Sequence, residues 1–511
     1  MDNITRRRFM RDVIGTGASM ALTKAAFAGN AESKIPPKPP KIKNIVILMT
    51  DQHAHNFLGC AGFGKLKTPT FNRLAADGIR FTQATCAVTP CLPSRHSLFH
   101  GLYAFQTGVY SNVHSLPINE IPAFTMGKVF RENGYKTAAC GKMHWFPYHA
   151  PVERGNYFGW DYRAGHIHET GEKMDTTFVA EHRSLAERRL AESKKHGIWP
   201  AEDNCAAAML GYTSNLNSSQ MDDWWSAAKA AEFIDKNHDK PFLLVCSLVK
   251  PHAPHDVPAL YDPNEVPLWP KPPEGLEEYP KWKGLSRDDL KTVIANYMAE
   301  VTHTDKCHAQ VLEALDRNGL YDETLIIFTA DHGELLGSRG VTAFTKYNLY
   351  EQAIRVPFII KPPKSMAKSG TGKISDVLVS LLDIFPTILD AAGLKGAERL
   401  SGISLLSILR GEEPQNQRKV TLTEYWGHYG EPGTQIAIRS ATWKLIIKND
   451  GTEELYDLAQ DPLEFKNLSK DNPERISELK SMYVEELRKV FSKVSKKGLD
   501  FNVQKVDILN L

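Results

Sequence analysis

The chain lacks any apolar run of the roughly 18 residues that a membrane-spanning helix needs, so no such helix is expected. It has almost no net charge: 62 Lys and Arg stand against 60 Asp and Glu, leaving +2. That balance excludes a nucleic-acid binder, which would carry a basic excess. No fixed-period repeat occurs, which excludes solenoids and propellers. None of the 7 cysteines stands in C-x-x-C spacing, so a zinc ribbon is excluded too. What remains is ordinary globular material, 42% hydrophobic and 24% charged, in 511 residues that allow two or three domains.

The first residues read as a targeting segment. Thr5-Arg6-Arg7-Arg8-Phe9-Met10-Arg11 precedes a weakly apolar stretch from Val13 to Phe27, closed by Ala26-Phe27-Ala28. Paired arginines, a mild apolar region and a small-x-small end look like a twin-arginine export signal over residues 1–28. The competing reading, a basic amphipathic helix, is opposed by Gly15 and Gly17. The expected location is periplasmic or secreted. Residues 29–41, with Ile35-Pro36-Pro37-Lys38-Pro39-Pro40, read as an extended linker. Twin-arginine cargo folds before export in a reducing compartment, so disulfides are possible only after export and their pairing is left open.

Asn44–Thr50 is a short run rich in β-branched residues, the mark of a strand buried on both faces. Thr68-Pro69-Thr70 opens a helix that Asp77-Gly78 ends, and Met126–Asn133 is a second, closed by Gly134. Lys136–Cys140, Phe242–Leu248, Thr324–Thr329, Arg355–Lys361 and Val420–Glu424 read as strands. Asp222–Asn237 and Asp288–Asn318 read as helices, and Leu381–Ala392 as a helix that Pro386 should kink or break. The alternation predicts an α/β fold with a mostly parallel central sheet flanked by helices over residues 42–410. From Gly411 the pattern changes. Ile436–Arg439, Trp443–Lys448 and Glu454–Asp457 are close-set strands around the hairpin signal Asn449-Asp450-Gly451, followed by a charged helix, Asn472–Lys489. Residues 411–511 therefore read as a smaller C-terminal α+β subdomain with an antiparallel sheet.

Two strands run into acids: Asp51-Gln52 after the first, and Asp331-His332-Gly333-Glu334 after Thr324–Thr329. Ligands of a parallel sheet gather at the carboxyl ends of its strands, and two such acids suit a hard divalent cation. The alternative is that each Asp caps a following helix. Between these strands lies Cys91-Leu92-Pro93-Ser94-Arg95-His96-Ser97-Leu98-Phe99-His100-Gly101. This stretch resembles the signature of the sulfatase family, of alkaline-phosphatase-like fold. Only His100 departs, standing where the family usually carries Ser or Thr. Gly141-Lys142-Met143-His144, Lys250-Pro251-His252-Ala253-Pro254-His255 and Lys346 resemble further family motifs in the same order. So do Glu454–Leu458 and Asp461-Pro462 with Glu464 and Asn467-Leu468, and the resemblance covers residues 41 to about 470.

The resemblance implies a sulfuric ester hydrolase whose Cys91 is oxidised to 3-oxoalanine (formylglycine) by a formylglycine-generating maturation enzyme. It implies that Asp51, Gln52, Asp331 and His332, with residue 91, hold one divalent metal ion. Oxygen donors favour calcium, and the single imidazole leaves manganese or magnesium open. In the implied mechanism the aldehyde is hydrated and one hydroxyl attacks sulfur. His252, aided by Lys346, protonates the departing alcohol. His144 takes the proton of the second hydroxyl, so that the aldehyde re-forms as sulfate leaves. Arg95 and Lys142 bind the diol and stabilise developing charge. A phosphonate monoester or phosphodiester hydrolase of the same superfamily is the close alternative, and a degenerate glycan-binding homologue the non-enzymatic one. The expected partner is a sulfated small molecule or glycan, with no nucleic acid. His53, His55, His96, His100, His114 and Trp145 lie near the motifs as candidate pocket residues.

Overall fold

The computed structural model describes residues 42–495 except 114, 116–120, 146–157, 166–180, 197–209, 259, 274–285, 341–344, 368–370, 414–416 and 428–432. The export signal and linker read from residues 1–41 lie outside the described residues. No helix among the described residues is long and apolar enough to cross a membrane.

The strands, in chain order, are β1 (Asn44–Thr50), β2 (Ile79–Thr85), β3 (Val88–Thr89), β4 (Lys136–Gly141), β5 (Tyr162–Gly165), β6 (Phe242–Ser247) and β7 (Thr324–Ala330). They continue with β8 (Phe358–Lys361), β9 (Lys373–Ser380), β10 (Thr421–Tyr425), β11 (Gln435–Arg439), β12 (Trp443–Lys448) and β13 (Glu453–Asp457). Eight form one sheet in the order β5-β4-β6-β1-β7-β8-β2-β9. Within it only β8 runs antiparallel to its neighbours, β7 and β2. The fold is the mostly parallel α/β architecture expected from the alternation of strands and helices, and it agrees with the alkaline-phosphatase-like fold that the family resemblance implies.

Side-chain alternation along β1 builds the two sides of the core. Ile45, Ile47 and Met49 join a cluster with Phe99, Phe130 and Ile384, from the helices Cys91–His100, Met126–Glu132 and Ile384–Ala392. Val46 and Leu48 point the other way, to Phe71, Ile234 and Leu312, from the helices Pro69–Ala76, Asp222–Asn237 and Arg287–Arg317. Helices thus cover both faces, which is why the central strands read as unbroken apolar runs.

Three expectations needed correction. Pro386 neither kinks nor breaks its helix. A 3₁₀ turn over Leu381–Asp383 precedes it, and the α-helix starts at Ile384, so Pro386 sits in the first turn, where its missing N–H costs nothing. Arg355–Lys361 is a strand only from Phe358, because Glu351–Ile354 forms a helical turn and Pro357 lacks a donor for the ladder. Val420–Glu424 does not join the central alternation. As β10 it belongs to a five-stranded sheet, β13-β12-β11-β10-β3, whose far member comes from just before Cys91. The helix Pro473–Ser495 covers one face of this sheet through Leu479 and Tyr483. The other face, with Ala437, Ile446 and Tyr456, joins the large core.

Candidate active site and metal centre

Four parallel strands end at one level. Register places Met49 opposite Ser247, Thr50 opposite Ala330, and Gly141 opposite Ser247. Asp51, Lys142 and Asp331 therefore leave the sheet along one edge, with the His252 loop following β6. A Cβ on Gly141 would lie 2.0 Å from the Ser247 carbonyl oxygen, so only glycine lets β4 turn out beside β6 there. The antiparallel β8 brings its own lead-in to the same edge, because Phe358 pairs with Thr329. That lead-in carries Lys346. From β2 the chain passes through β3 to Cys91, the first residue of its helix.

Asp51, Cys91, Asp331 and His332 are buried, and one ligand atom from each lies within 4.8 Å of all the others. The Cys91 Sγ is 3.1 Å from His332 Nε2 and 3.7 Å from an Asp51 oxygen. His332 Nδ1 is 2.8 Å from the Gly333 carbonyl, and donating there turns Nε2 toward the cluster. Asp331 caps no helix; its Oδ1 accepts the N–H groups of Gln52 and His332 at 3.0 and 2.9 Å. Two carboxylates, one imidazole and the position-91 side chain suit a single divalent cation, so the residues present fit the expected metal.

Gln52 completes this edge in a left-handed backbone conformation, φ 60°. Its carbonyl accepts the Tyr297 hydroxyl at 2.7 Å. Its side-chain oxygen accepts from Lys346 Nζ at 2.6 Å, and its amide nitrogen donates to Glu334. The two partners settle which way the amide faces. Glu334 and Lys346 thereby fix which way the uncharged Gln52 side-chain oxygen faces.

Cations interleave with the acids. Arg95 donates to Asp331 at 2.8 Å and to Asp51 at 3.1 Å. Its remaining Nη1 reaches the Ser247 hydroxyl at 2.8 Å and the Lys142 carbonyl at 2.5 Å. Lys142 Nζ lies 2.7 Å from Asp51. Burial works against the ionised Asp51, but Lys142, His252, Arg95 and Lys346 outweigh it and hold the carboxyl well below the usual range. Burial and Asp51 push the Cys91 thiol up; Lys346, His332 and Lys142 pull it down further, leaving it below an ordinary thiol. Burial lowers His332, yet Asp331 and Cys91 raise it to about 9, a proton that a bound cation would displace.

His252 faces Lys346, its Nε2 being 2.7 Å from the ammonium, while Nδ1 turns to the Ala253 carbonyl at 2.5 Å. Burial, then Lys346 and Lys142, hold its imidazole well below the ordinary value. Lys346 Nζ is also 3.2 Å from Cys91 Sγ. The His252 loop is pinned from outside: the Asp223 carboxylate accepts the N–H groups of Val249 and Lys250 at 2.7 and 2.9 Å. His144 is buried beyond the end of β4 at φ 50°.

Ser247, Tyr297, Asp223 and the role of Glu334 were not foreseen. Only Glu334 carried a signal, standing in the Asp-His-Gly-Glu run. Of the flanking histidines, His53, His96 and His100 bond to the backbone carbonyls of Phe57, Trp145 and Phe124 at 2.9, 2.7 and 3.0 Å. Trp145 stacks on Phe158, and His55 is half-buried. His114 lies outside the described residues. Among these residues the six cysteines are free thiols.

Acids, cations and a buried thiol at the carboxyl edge of a mostly parallel sheet define an alkaline-phosphatase-like α/β hydrolase. Solved structures share this fold: a phosphonate monoester hydrolase of Agrobacterium radiobacter aligns at TM-score 0.70 and 22% identity over 89% of this chain and 96% of its own. Residues 43–394 match the family model Sulfatase, and residues 340–493 match the N-sulphoglucosamine sulphohydrolase C-terminal model. The chain belongs to the sulfatase family and is a sulfuric ester hydrolase. An arylsulfatase of Clostridium perfringens is 28% identical over 87% of this chain and 94% of that protein. An ulvan-active sulfatase of Formosa agariphila is 28% identical over 84% and 77%. An N-acetylglucosamine-6-O-sulfatase of Bacteroides thetaiotaomicron is 27% identical over 88% and 86%.

Proposed function

We propose that this sulfatase acts through a formylglycine made from Cys91, with one divalent cation held by Asp51, Gln52, Asp331, His332 and residue 91. The observation that carries the reading is the meeting of four ligand atoms within 4.8 Å, with the Lys346 ammonium 3.2 Å from the Cys91 sulfur. Calcium suits the oxygen-rich set. When bound, the cation withdraws charge from a sulfate oxygen and eases deprotonation of the attacking hydroxyl. Oxidised by a maturation enzyme, position 91 supplies a hydrated aldehyde with two hydroxyls, one to attack and one to release sulfate.

The protein's own groups supply the proton traffic. His252 Nε2, 2.7 Å from the Lys346 ammonium, takes that ammonium's proton and passes it to the departing alcohol oxygen, the weakly basic buried imidazole giving it up readily. His144 takes the proton of the second hydroxyl, so that cleavage of the C–O bond frees sulfate and restores the aldehyde. Lys142 and Arg95 keep Asp51 ionised and offset the charge that builds on the sulfuryl oxygens. Each acid–base step is worth roughly 10²–10⁴-fold.

The substrate class is a sulfated glycan or small sulfate ester, as the names of the ulvan-active and N-acetylglucosamine-6-O-sulfatase relatives suggest. It is met outside the cytoplasm, since residues 1–28 carry the twin-arginine pattern. Mass spectrometry of the tryptic peptide containing Cys91, from protein co-expressed with a maturation enzyme, should show the aldehyde. Cys91→Ala should abolish aryl sulfate hydrolysis; undiminished turnover would remove residue 91 from the reaction. Aryl phosphonate monoesters serve as the competing substrates, and a strong preference for them would reverse the assignment.

A further inference from the structure

One stretch that resembles the family, Asp461-Pro462-Leu463-Glu464 with Asn467-Leu468, supplies no group to the reaction above, yet it reaches the site. Asp461 folds the stretch by accepting the Lys466 N–H at 2.8 Å. Asn467 accepts the Leu455 N–H at 3.0 Å, and the Leu468 N–H donates to the Leu455 carbonyl at 2.8 Å, which fastens the loop to β13. The fold of this loop drives Glu464 inward, in a left-handed conformation of φ 58° and fully buried.

There the two carboxylate oxygens serve different elements. One pairs with Lys444 of β12, and the other accepts the Glu351 N–H at 2.7 Å. Lys444 Nζ in turn donates to the Leu349 carbonyl at 2.9 Å and lies 3.2 Å from the Glu351 carboxylate. Arg439 of β11 grips the same Glu351 carboxylate at 2.9 and 3.0 Å. Arg339 donates to the Leu463 and Glu464 carbonyls and lies 3.8 Å above the Tyr350 ring. Leu349–Glu351 is thus tied to the second sheet just downstream of Lys346. Upstream, the Leu335 N–H holds the Thr345 carbonyl at 3.3 Å. Lys346 sits between two fixed points, with its ammonium 2.7 Å from His252 Nε2.

Stability alone does not account for so buried an ionic group, because well-packed apolar side chains of similar volume serve a core as well or better. We propose that Glu464 is a positioning residue for Lys346: through Lys444 and the Glu351 N–H, the C-terminal sheet sets the distance between Lys346 and the proton donor His252. This rests on the reading of His252 as the leaving-group acid. A hydrogen bond tolerates only a few tenths of an ångström, so a small shift of Leu349–Glu351 is felt at the acid; because Lys346 also lies 3.2 Å from Cys91 Sγ, a smaller loss common to all substrates accompanies it.

The test uses the matured full chain and two esters: 4-nitrophenyl sulfate, whose phenolate leaves without a proton, and an alkyl sulfate, whose alkoxide requires one. His252→Ala is the reference. Glu464→Ala should cost the alkyl ester about 10²-fold more in kcat/KM than the aryl ester, as His252→Ala should. Where Glu464→Ala folds poorly, the paired change Glu464→Met with Lys444→Met removes both charges together and should show the same leaving-group dependence at near-native Tm. Equal losses on both esters, or none on either in a folded variant, would overturn the positioning role while His252→Ala kept its discrimination. Loss of discrimination in His252→Ala itself would overturn the acid assignment, and the proposal with it.

Discussion

The two sheets place their charges differently. In the eight-stranded sheet, β1, β6 and β7 are fully buried and largely apolar, and Asp51 and Asp331 stand one residue past the strand end. In the five-stranded sheet, Arg439 and Lys444 stand opposite each other across β11 and β12, both buried on the face toward the large core. Like charges so placed repel, and one carboxylate, Glu351, lies against both. A charge at a strand end stands at the carboxyl edge of the sheet, where ligands of parallel sheets gather. A charge within a buried sheet face must be consumed by the protein itself. The first arrangement makes a reactive edge; the second makes a clamp.

This contrast can be broken first at Arg95. Arg95→Met leaves Asp51 and Asp331 without their guanidinium, and in chelator it should cost about 3–5 kcal/mol by denaturant unfolding. Added calcium should restore part of that loss, since the ion supplies the missing positive charge at the reactive edge. In the clamp the same logic gives a different outcome. Lys444→Met alone should cost a similar amount, but calcium should restore none of it, and pairing it with Glu464→Met should bring stability back near wild type. Calcium rescue of Lys444→Met would erase the distinction between the two sheets.

Acid should sharpen the comparison. Burial depresses His53, His96 and His303 to about 4, and His100 and His308 further, to about 3. All five pack around the eight-stranded sheet. Their unfolded forms bind protons below pH 6.5 while the folded forms do not, so their stability contribution is full above that pH. It is lost as pH falls from 6.5 toward 4, at about 1.4 kcal/mol per pH unit for each ring. Hydrogen exchange at pH 5 should show the layers of the large sheet loosening before β11–β13, and a flat Tm between pH 7 and 5 would contradict this. The smallest effect is expected at the open edge: Ile374→Glu on β9, where the side chain is 66% exposed, should stay within about 0.5 kcal/mol.

The central strands were legible because burial on both faces leaves only apolar residues, as in Asn44–Thr50 and Thr324–Ala330. β2 and β9 were not foreseen. They are the last two strands at one end of the sheet, β9 forming its edge, and their sequences, IRFTQAT and KISDVLVS, mix polar and apolar residues without a clean period. β3 has two residues and exists only through its pairing with β10. The side chains that meet at the candidate site stood in short motifs that could be read in order. Their orienting partners did not: Gln52 and Glu334 are 282 residues apart, and Glu351 and Glu464 are 113 apart.

By itself the chain's order of residues determined the layered α/β plan, the acids at the strand ends and the family-like cysteine motif, because periodicity and short motifs are local properties. Tertiary structure alone decided how Gln52 faces, what holds Lys346 against His252, and why Glu464 is buried. Those depend on long-range pairings in a low-dielectric interior, where each charge takes whichever partner the fold brings within about 3 Å.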